Sequence, residues 1–325
     1  MYYHPNQQPA PALFIFGDSF FDAGNSNFIN TTTDYQAKVS DGRMIPDFIA
    51  EHAKLPFIPP YLQPGNDQFS YGANFASAGA GTLDEINQGL VISLNTQLSY
   101  FKNVEKQFRQ RLGDEAAKKV LFEAVYLISI GTNDYLSPFF RDSTVFQSYS
   151  QKQYINMVVG NLTEVIKEIY KKGGRKFGFV NLAPLGCLPI MKEIKLQQGG
   201  TGECMEEATE LAKLHNIALS KALKFSISNF YTLLEERMNK PSKYGFKEGK
   251  KACCGSGPYR GLLSCGGKRT IKEYELCSNV SEYVFFDSAH STDKANQQMA
   301  ELMWKGTGNV TGPYNLEALF GHNQE

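Results

Sequence analysis

The chain has 325 residues, with 33 lysines and arginines set against 33 aspartates and glutamates, so its formal net charge is zero. That balance argues against a nucleic-acid binder, which answers phosphates with a basic excess, and leaves no net positive field for anionic membranes or strongly acidic substrates. Hydrophobic residues at 42% and charged residues at 20% describe a folded globule, and no apolar run approaches the ~18–20 residues that cross a bilayer.

In chain order, the residues after Met1 show neither a basic n-region nor an apolar h-region, which fits a cytosolic chain or one whose leader has been removed. Ala12 to Phe16 (ALFIF) is a continuous apolar run closed by Gly17 and reads as a strand buried on both faces. Asp41 to Lys54 carries Ile45, Phe48, Ile49 and His52 in helical register, with Pro46 in the first turn. Val125 to Ile130 predicts a second buried strand, Gln153 to Lys172 a helix stopped by Gly173-Gly174, and Phe177 to Leu182 a third strand. Glu203 to Asn239 reads as one long helical segment, Gly245 to Cys277 as a Gly/Cys-rich loop, Tyr283 to Phe286 as a last strand and Asp293 to Trp304 as a last helix. Strands separated by helices predict an α/β fold whose parallel sheet is covered on both faces. Without repeats, low-complexity tracts or linkers, the expectation is a single domain over residues 1–325 with an excursion at 241–280.

The six cysteines, Cys187, Cys204, Cys253, Cys254, Cys265 and Cys277, all lie in the second half. Their even number in a loop-rich stretch points to disulfides, and the 15 possible pairings stay open. A metal site would need C-x-x-C spacing or a nearby histidine, and reduced buried thiols are the plainer alternative. Vicinal Cys253 and Cys254 are expected to bond different partners. Four N-x-S/T sequons start at Asn30, Asn161, Asn279 and Asn309, and with the cysteines they favour a secreted protein.

Open parallel sheets gather reacting groups beyond the carboxyl ends of their strands. Four segments qualify: Gly17-Asp18-Ser19, Asn74 to Gly81, Gly131-Thr132-Asn133-Asp134, and Asp287-Ser288-Ala289-His290. Together they supply the groups of acyl transfer. Ser19 is the candidate nucleophile, which needs a base to take its proton. Of five histidines, His4 and His322 are near the ends, His52 is on a core stripe and His215 is inside a helix, which leaves His290 as the base. Asp287, three residues earlier, can fold back to orient the imidazole. The backbone N–H groups of Ser19 and Gly79 and the amide of Asn133 are the candidate oxyanion donors. Each has a plainer reading: Ser19 as a turn or cap residue, Asn133 and Asp134 as Asx-turn residues, His290 as a surface histidine, Gly79 as a packing glycine.

At these residues the sequence resembles the plant GDSL-type esterase/lipases of the SGNH hydrolase superfamily. The blocks run in order from FIFGDSFFDAGNSN (Phe14–Asn27) through SDGRMIPDFIA, YGANFASAGAG, YLISIGTNDY, GFVNLAPLGCLP and ACCGSG to YVFFDSAHSTDKAN (Tyr283–Asn296), and their texture is closest to the defence-associated members. The resemblance implies a three-layer α/β/α flavodoxin-like fold with a central parallel sheet. It implies the same roles for Ser19, Gly79, Asn133, Asp287 and His290, and a secretion signal that is removed. Ser26 stands where the family usually has a second consecutive Asn, and Ser291 where it often has Pro; Ser291 is expected to cap the following helix.

The expected function is a secreted serine carboxylic-ester hydrolase acting on a small-molecule or lipid ester, with no metal, cofactor or nucleic acid involved. Phe20, Phe21, Phe28, Phe139 and Phe140 are candidates for an apolar acyl wall, though core packing is their plainer role. An acyltransferase using the same acyl-enzyme with an alcohol acceptor is the first rival, and a non-catalytic binding or defence protein the second. The sequence is silent on oligomeric state.

Overall fold

The run Leu13–Gly17 forms strand β1 inside a six-stranded sheet of the computed structural model, which describes residues 11–35, 40–66, 69–140, 145–267 and 269–321. His4, His322 and the amino-terminal stretch read for a leader lie outside those residues. β1 pairs in parallel with β2 (Gly72–Asn74) and β3 (Val125–Ser129); β4 (Lys176–Val180) and β5 (Ser226–Ser228) extend the sheet, also in parallel. The order 2-1-3-4-5 is the flavodoxin-like doubly wound arrangement, whose chain reverses direction across the sheet between β1 and β3. One edge departs from the expected parallel sheet: the two-residue strand Thr311–Gly312 lies antiparallel to β5.

Period-two alternation explains the layers. Leu13 and Ile15 point into one apolar cluster, shared with the helices Ile45–His52, Thr132–Phe140, Pro189–Gln197, Phe230–Asn239 and Asp293–Lys305. Phe14 and Phe16 point into the other, built on the helices Leu94–Leu112 and Asp114–Glu123 and the second half of Gln151–Lys171. Both faces of β1 are therefore covered, which is why its sequence is apolar without a break. Among the described residues no helix is long and apolar enough to cross a membrane.

The structure corrects two readings. The segment 203–239 is two helices, Glu206–Ala222 and Phe230–Asn239, separated by β5. This strand hides from periodicity because two of its three residues are serines, buried through hydrogen bonds: Ser228 Oγ meets Thr311 Oγ1 at 3.0 Å, and Ser226 Oγ accepts from Tyr314 N–H at 3.3 Å. Tyr283–Phe285 is a strand but not one of the main sheet; it pairs with Glu248–Ala252 in a separate two-stranded sheet. Residues 82–124 also hold two helices with no counterpart among the expected elements, Leu94–Leu112 and Asp114–Glu123.

All six cysteines pair: Cys187 with Cys204, Cys253 with Cys277, and Cys254 with Cys265. The vicinal pair does bond different partners, and the last two bridges tie the excursion to itself. The closed loops span 17, 24 and 11 residues. Reduction is expected to destabilise the 187–277 region by about 3 kcal/mol for a loop of roughly 15 residues, read as a lower urea midpoint in reductant. Six titratable thiols in the unreduced, denatured protein would contradict the pairing.

Candidate active site

β1 ends where Gly17 runs against β3. A Cβ on Gly17 would stand 2.3 Å from the Ser129 carbonyl oxygen, so only glycine lets the two strands close here. The buried Gln97 side chain clamps the same residue, its Oε1 accepting from Gly17 N–H at 2.9 Å and its Nε2 donating to Gly17 O at 2.8 Å. Asp18 then turns the chain, accepting from Phe20 N–H at 3.1 Å, and Ser19 emerges half-buried beyond the carboxyl ends of β1 and β3. Burial pushes the Asp18 carboxyl up to about 7, with the nearby Asp134 adding to the rise.

Asp287 and His290 arrive on the turn after Tyr283–Phe285. Asp287 Oδ1 accepts from the backbone N–H of Ala289 at 3.0 Å and of His290 at 2.9 Å, and lies 2.7 Å from His290 Nδ1. Burial would raise the Asp287 carboxyl; the charge and hydrogen bond of His290, the Arg269 charge and the Ala289 N–H outweigh it and hold it at about 2. An anion on Nδ1 fixes the tautomer that leaves Nε2 free to accept, and His290 Nε2 lies 2.8 Å from Ser19 Oγ. The Phe20 ring packs beside the imidazole, 5.5 Å between centroids. A hydroxyl, an imidazole and a carboxylate thus form one continuous chain.

Gly79 and Asn133 approach Ser19 from the other two segments. Gly79 has φ +81°, and a Cβ there would meet the Tyr35 ring at 2.5 Å. The backbone N–H groups of Ser19 and Gly79 donate to no acceptor among the described residues. Asn133 Nδ2 donates to Ala80 O at 2.9 Å, which aims the amide and leaves its second N–H for the cleft. Asn133 and Asp134 open the helix Thr132–Phe140 instead of forming a free Asx turn. Asp134 holds the Gly79 loop by accepting from Thr82 N–H at 2.8 Å and Leu83 N–H at 3.0 Å. Asp22 braces it from the Ser19 side, accepting from Ala78 N–H at 2.9 Å and from Ser26 Oγ at 2.6 Å. Ser26 therefore joins two site loops. Ser291, by contrast, does not cap the last long helix: Thr292 does, accepting from Ala295 N–H at 3.3 Å, while the Ser291 hydroxyl is buried with no partner among the described residues.

Ser19, Gly79, Asn133 and His290 line one cleft of about 250 Å³, together with Phe20, Asp34, Tyr35, Asn87, Leu136, Ser137, Phe140, Ile190, Leu263 and Arg269. Only two of the five candidate wall phenylalanines, Phe20 and Phe140, belong to it. Phe21 is core, Phe139 packs against that core, and Phe28 is exposed away from the cleft. Leu263 and Arg269 come from the excursion and carry no sequence signal of their own; folding alone brings them here. A larger hollow of about 830 Å³ opens beside β5 and contains none of the candidate residues. Among the described residues, no group of three or more His, Cys, Asp or Glu side chains can hold a metal ion.

The GDSL-like lipase/acylhydrolase family model matches residues 13–303. "GDSL esterase/lipase 1" of Arabidopsis thaliana is 52% identical over 96% of this chain and 90% of its own length, and "GDSL esterase/lipase 2" of the same plant is 51% identical over the same shares. A "GDSL lipase" of Tanacetum cinerariifolium is 49% identical over 97% of this chain and 89% of its own.

Proposed function

Because the chain belongs to the GDSL-like lipase/acylhydrolase family, we propose that it is a serine carboxylic-ester hydrolase working through an acyl-enzyme on Ser19. The observation that carries this reading is the relay Ser19 Oγ–His290 Nε2 at 2.8 Å and His290 Nδ1–Asp287 Oδ1 at 2.7 Å. Ser19 Oγ attacks the ester carbonyl carbon while His290 Nε2 takes its proton, and Asp287 stabilises the imidazolium. The carbonyl oxygen, now an oxyanion, is held by the N–H groups of Ser19 and Gly79 and by Asn133 Nδ2. Collapse breaks the C–O bond, and His290 returns the proton to the leaving alcohol. Water repeats the sequence on the acyl-enzyme, with His290 as base and then acid, releasing the carboxylic acid and restoring Ser19.

One hydrolase domain over residues 1–325 carries this chemistry. Leu263 and Arg269 support that reading, since they bring the 241–280 excursion into the cleft of Ser19. Secretion is supported by three disulfides, which persist in oxidising compartments. Three sequon asparagines, Asn30, Asn279 and Asn309, are exposed, whereas the Asn161 amide is engaged with Thr82 O on a helix.

The test is release of acid and alcohol from short, long and aromatic acyl esters by wild type and Asn133→Ala. The variant is expected to lose about 100- to 1000-fold in kcat with its fold intact. An unchanged rate would remove Asn133 from the oxyanion hole. No acid from any ester, by folded and oxidised protein, would sink the hydrolase reading; a transfer product formed with an added alcohol would redirect it to acyl transfer.

A further inference from the structure

Among the described residues, one cation in the cleft forms no ion pair. Arg269 is only 8% exposed, yet it lines the cleft of Ser19, Asn133 and His290. Among the described residues its guanidinium makes no hydrogen bond and no ion pair. None of its nitrogens is among the sealed polar atoms without a partner, so they keep contact with solvent. Asp287 feels its charge, but that carboxylate is engaged by His290 Nδ1 and two backbone N–H groups. Asp34 is also on the cleft wall and forms no ion pair with it.

A guanidinium stays protonated under all ordinary conditions, and its planar fork matches a carboxylate through two parallel hydrogen bonds. Removed from water without an anion, it is costly to keep. We infer that Arg269 is a specificity-determining residue that takes a carboxylate carried on the acyl or alcohol part of the ester, so that half-esters of dicarboxylic acids or esters of hydroxy acids are preferred over neutral esters. A single charge is favoured over a phosphate dianion because, among the described residues, Arg269 is the only arginine or lysine lining the cleft and Asp34 shares the wall. The inference rests on the ester-hydrolase reading of this cleft.

Two matched pairs test it and separate the two sources of charge: 4-methylumbelliferyl butyrate against the hemisuccinate, and propyl acetate against O-acetyl-lactate. Wild type should favour the charged member of one pair in kcat/KM by about 10- to 100-fold, the worth of a charged hydrogen-bonded contact. Arg269→Gln should erase that ratio, Arg269→Lys should keep part of it, and Asp34→Asn should raise it. A ratio measured within one sample is indifferent to the fraction folded. Equal ratios in wild type and Arg269→Gln overturn the inference, as does a parallel loss on both members, which would make Arg269 only a support of Asp287. A second readout does not need turnover. Monoethyl succinate should bind Ser19→Ala protein at least about tenfold more tightly than the same protein with Arg269→Gln added, a 1.4 kcal/mol difference by calorimetry. Turnover of neutral esters without charge dependence would fail the anion site alone. Binding through Arg269 without turnover of any ester would uphold the anion site and fail the hydrolase reading.

Discussion

His290→Ala should lower kcat on a good ester on the order of a million-fold, the loss seen when a serine nucleophile or its base is removed from such a relay. The residue receives the Ser19 proton in acylation and delivers it to the alcohol, then repeats both tasks in deacylation, so nothing downstream compensates for its absence. Among the described residues no other imidazole can substitute. His215 is fully buried with Nδ1 on Tyr135 OH at 2.9 Å, and burial lowers it to about 3. His52 lies against Glu301 and Trp304. Because the nucleophile and base act as a unit, the double variant with Ser19→Ala should be no slower than either single one. Steady-state kinetics beside circular dichroism checks this, and a loss below tenfold would exclude His290 as the base.

Asp287→Asn should cost about ten thousand-fold in kcat with KM little changed. The amide leaves the backbone turn in place, since its oxygen can still accept from Ala289 and His290 N–H. It offers Nδ1 no anion, so the imidazole loses both its tautomer and the partner that stabilises its charged form. A change confined to KM would show that the Asp–His pairing is wrong. The wild-type carboxylate has its acidity held at about 2 against 3.8 for the free group. Its sign is that of a depressed acid: the stability it contributes is present above pH ~4 and is lost as pH falls through about 2. Its titration therefore does not set the acid limb of the rate profile near neutrality, and the Asn variant should lack this part of the acid unfolding between pH ~4 and ~2.

The strands that position the site were readable because apolar runs closed by glycine have few other uses. β1 and β3 lie within one residue or so of their expected bounds, and the helix Ile45–His52 carries the stripe that announces it. The four polar segments do converge on one cleft, since each follows an element whose carboxyl end faces it. β5 was hidden by its serines, whose burial depends on partners at Thr311 and Tyr314 far along the chain. Tyr283–Phe285 has the composition of a sheet strand, and only its pairing with Glu248–Ala252 removes it from the main sheet. Gln97, Asp22 and Asp134 are ordinary polar residues in sequence; their grip on the site loops comes from contacts across 52 to 80 residues. Arg269 is the extreme case, an arginine in a glycine-rich loop closed by the Cys253–Cys277 disulfide.

The hydrolysis proposed for the cleft requires an activated serine at position 19, which a fluorophosphonate probe with peptide mass mapping can detect. A label is expected on Ser19 of the folded, oxidised wild type, none in Ser19→Ala, and slow labelling in His290→Ala. A folded wild type that takes up no label, or takes it on another residue, would contradict that role for Ser19.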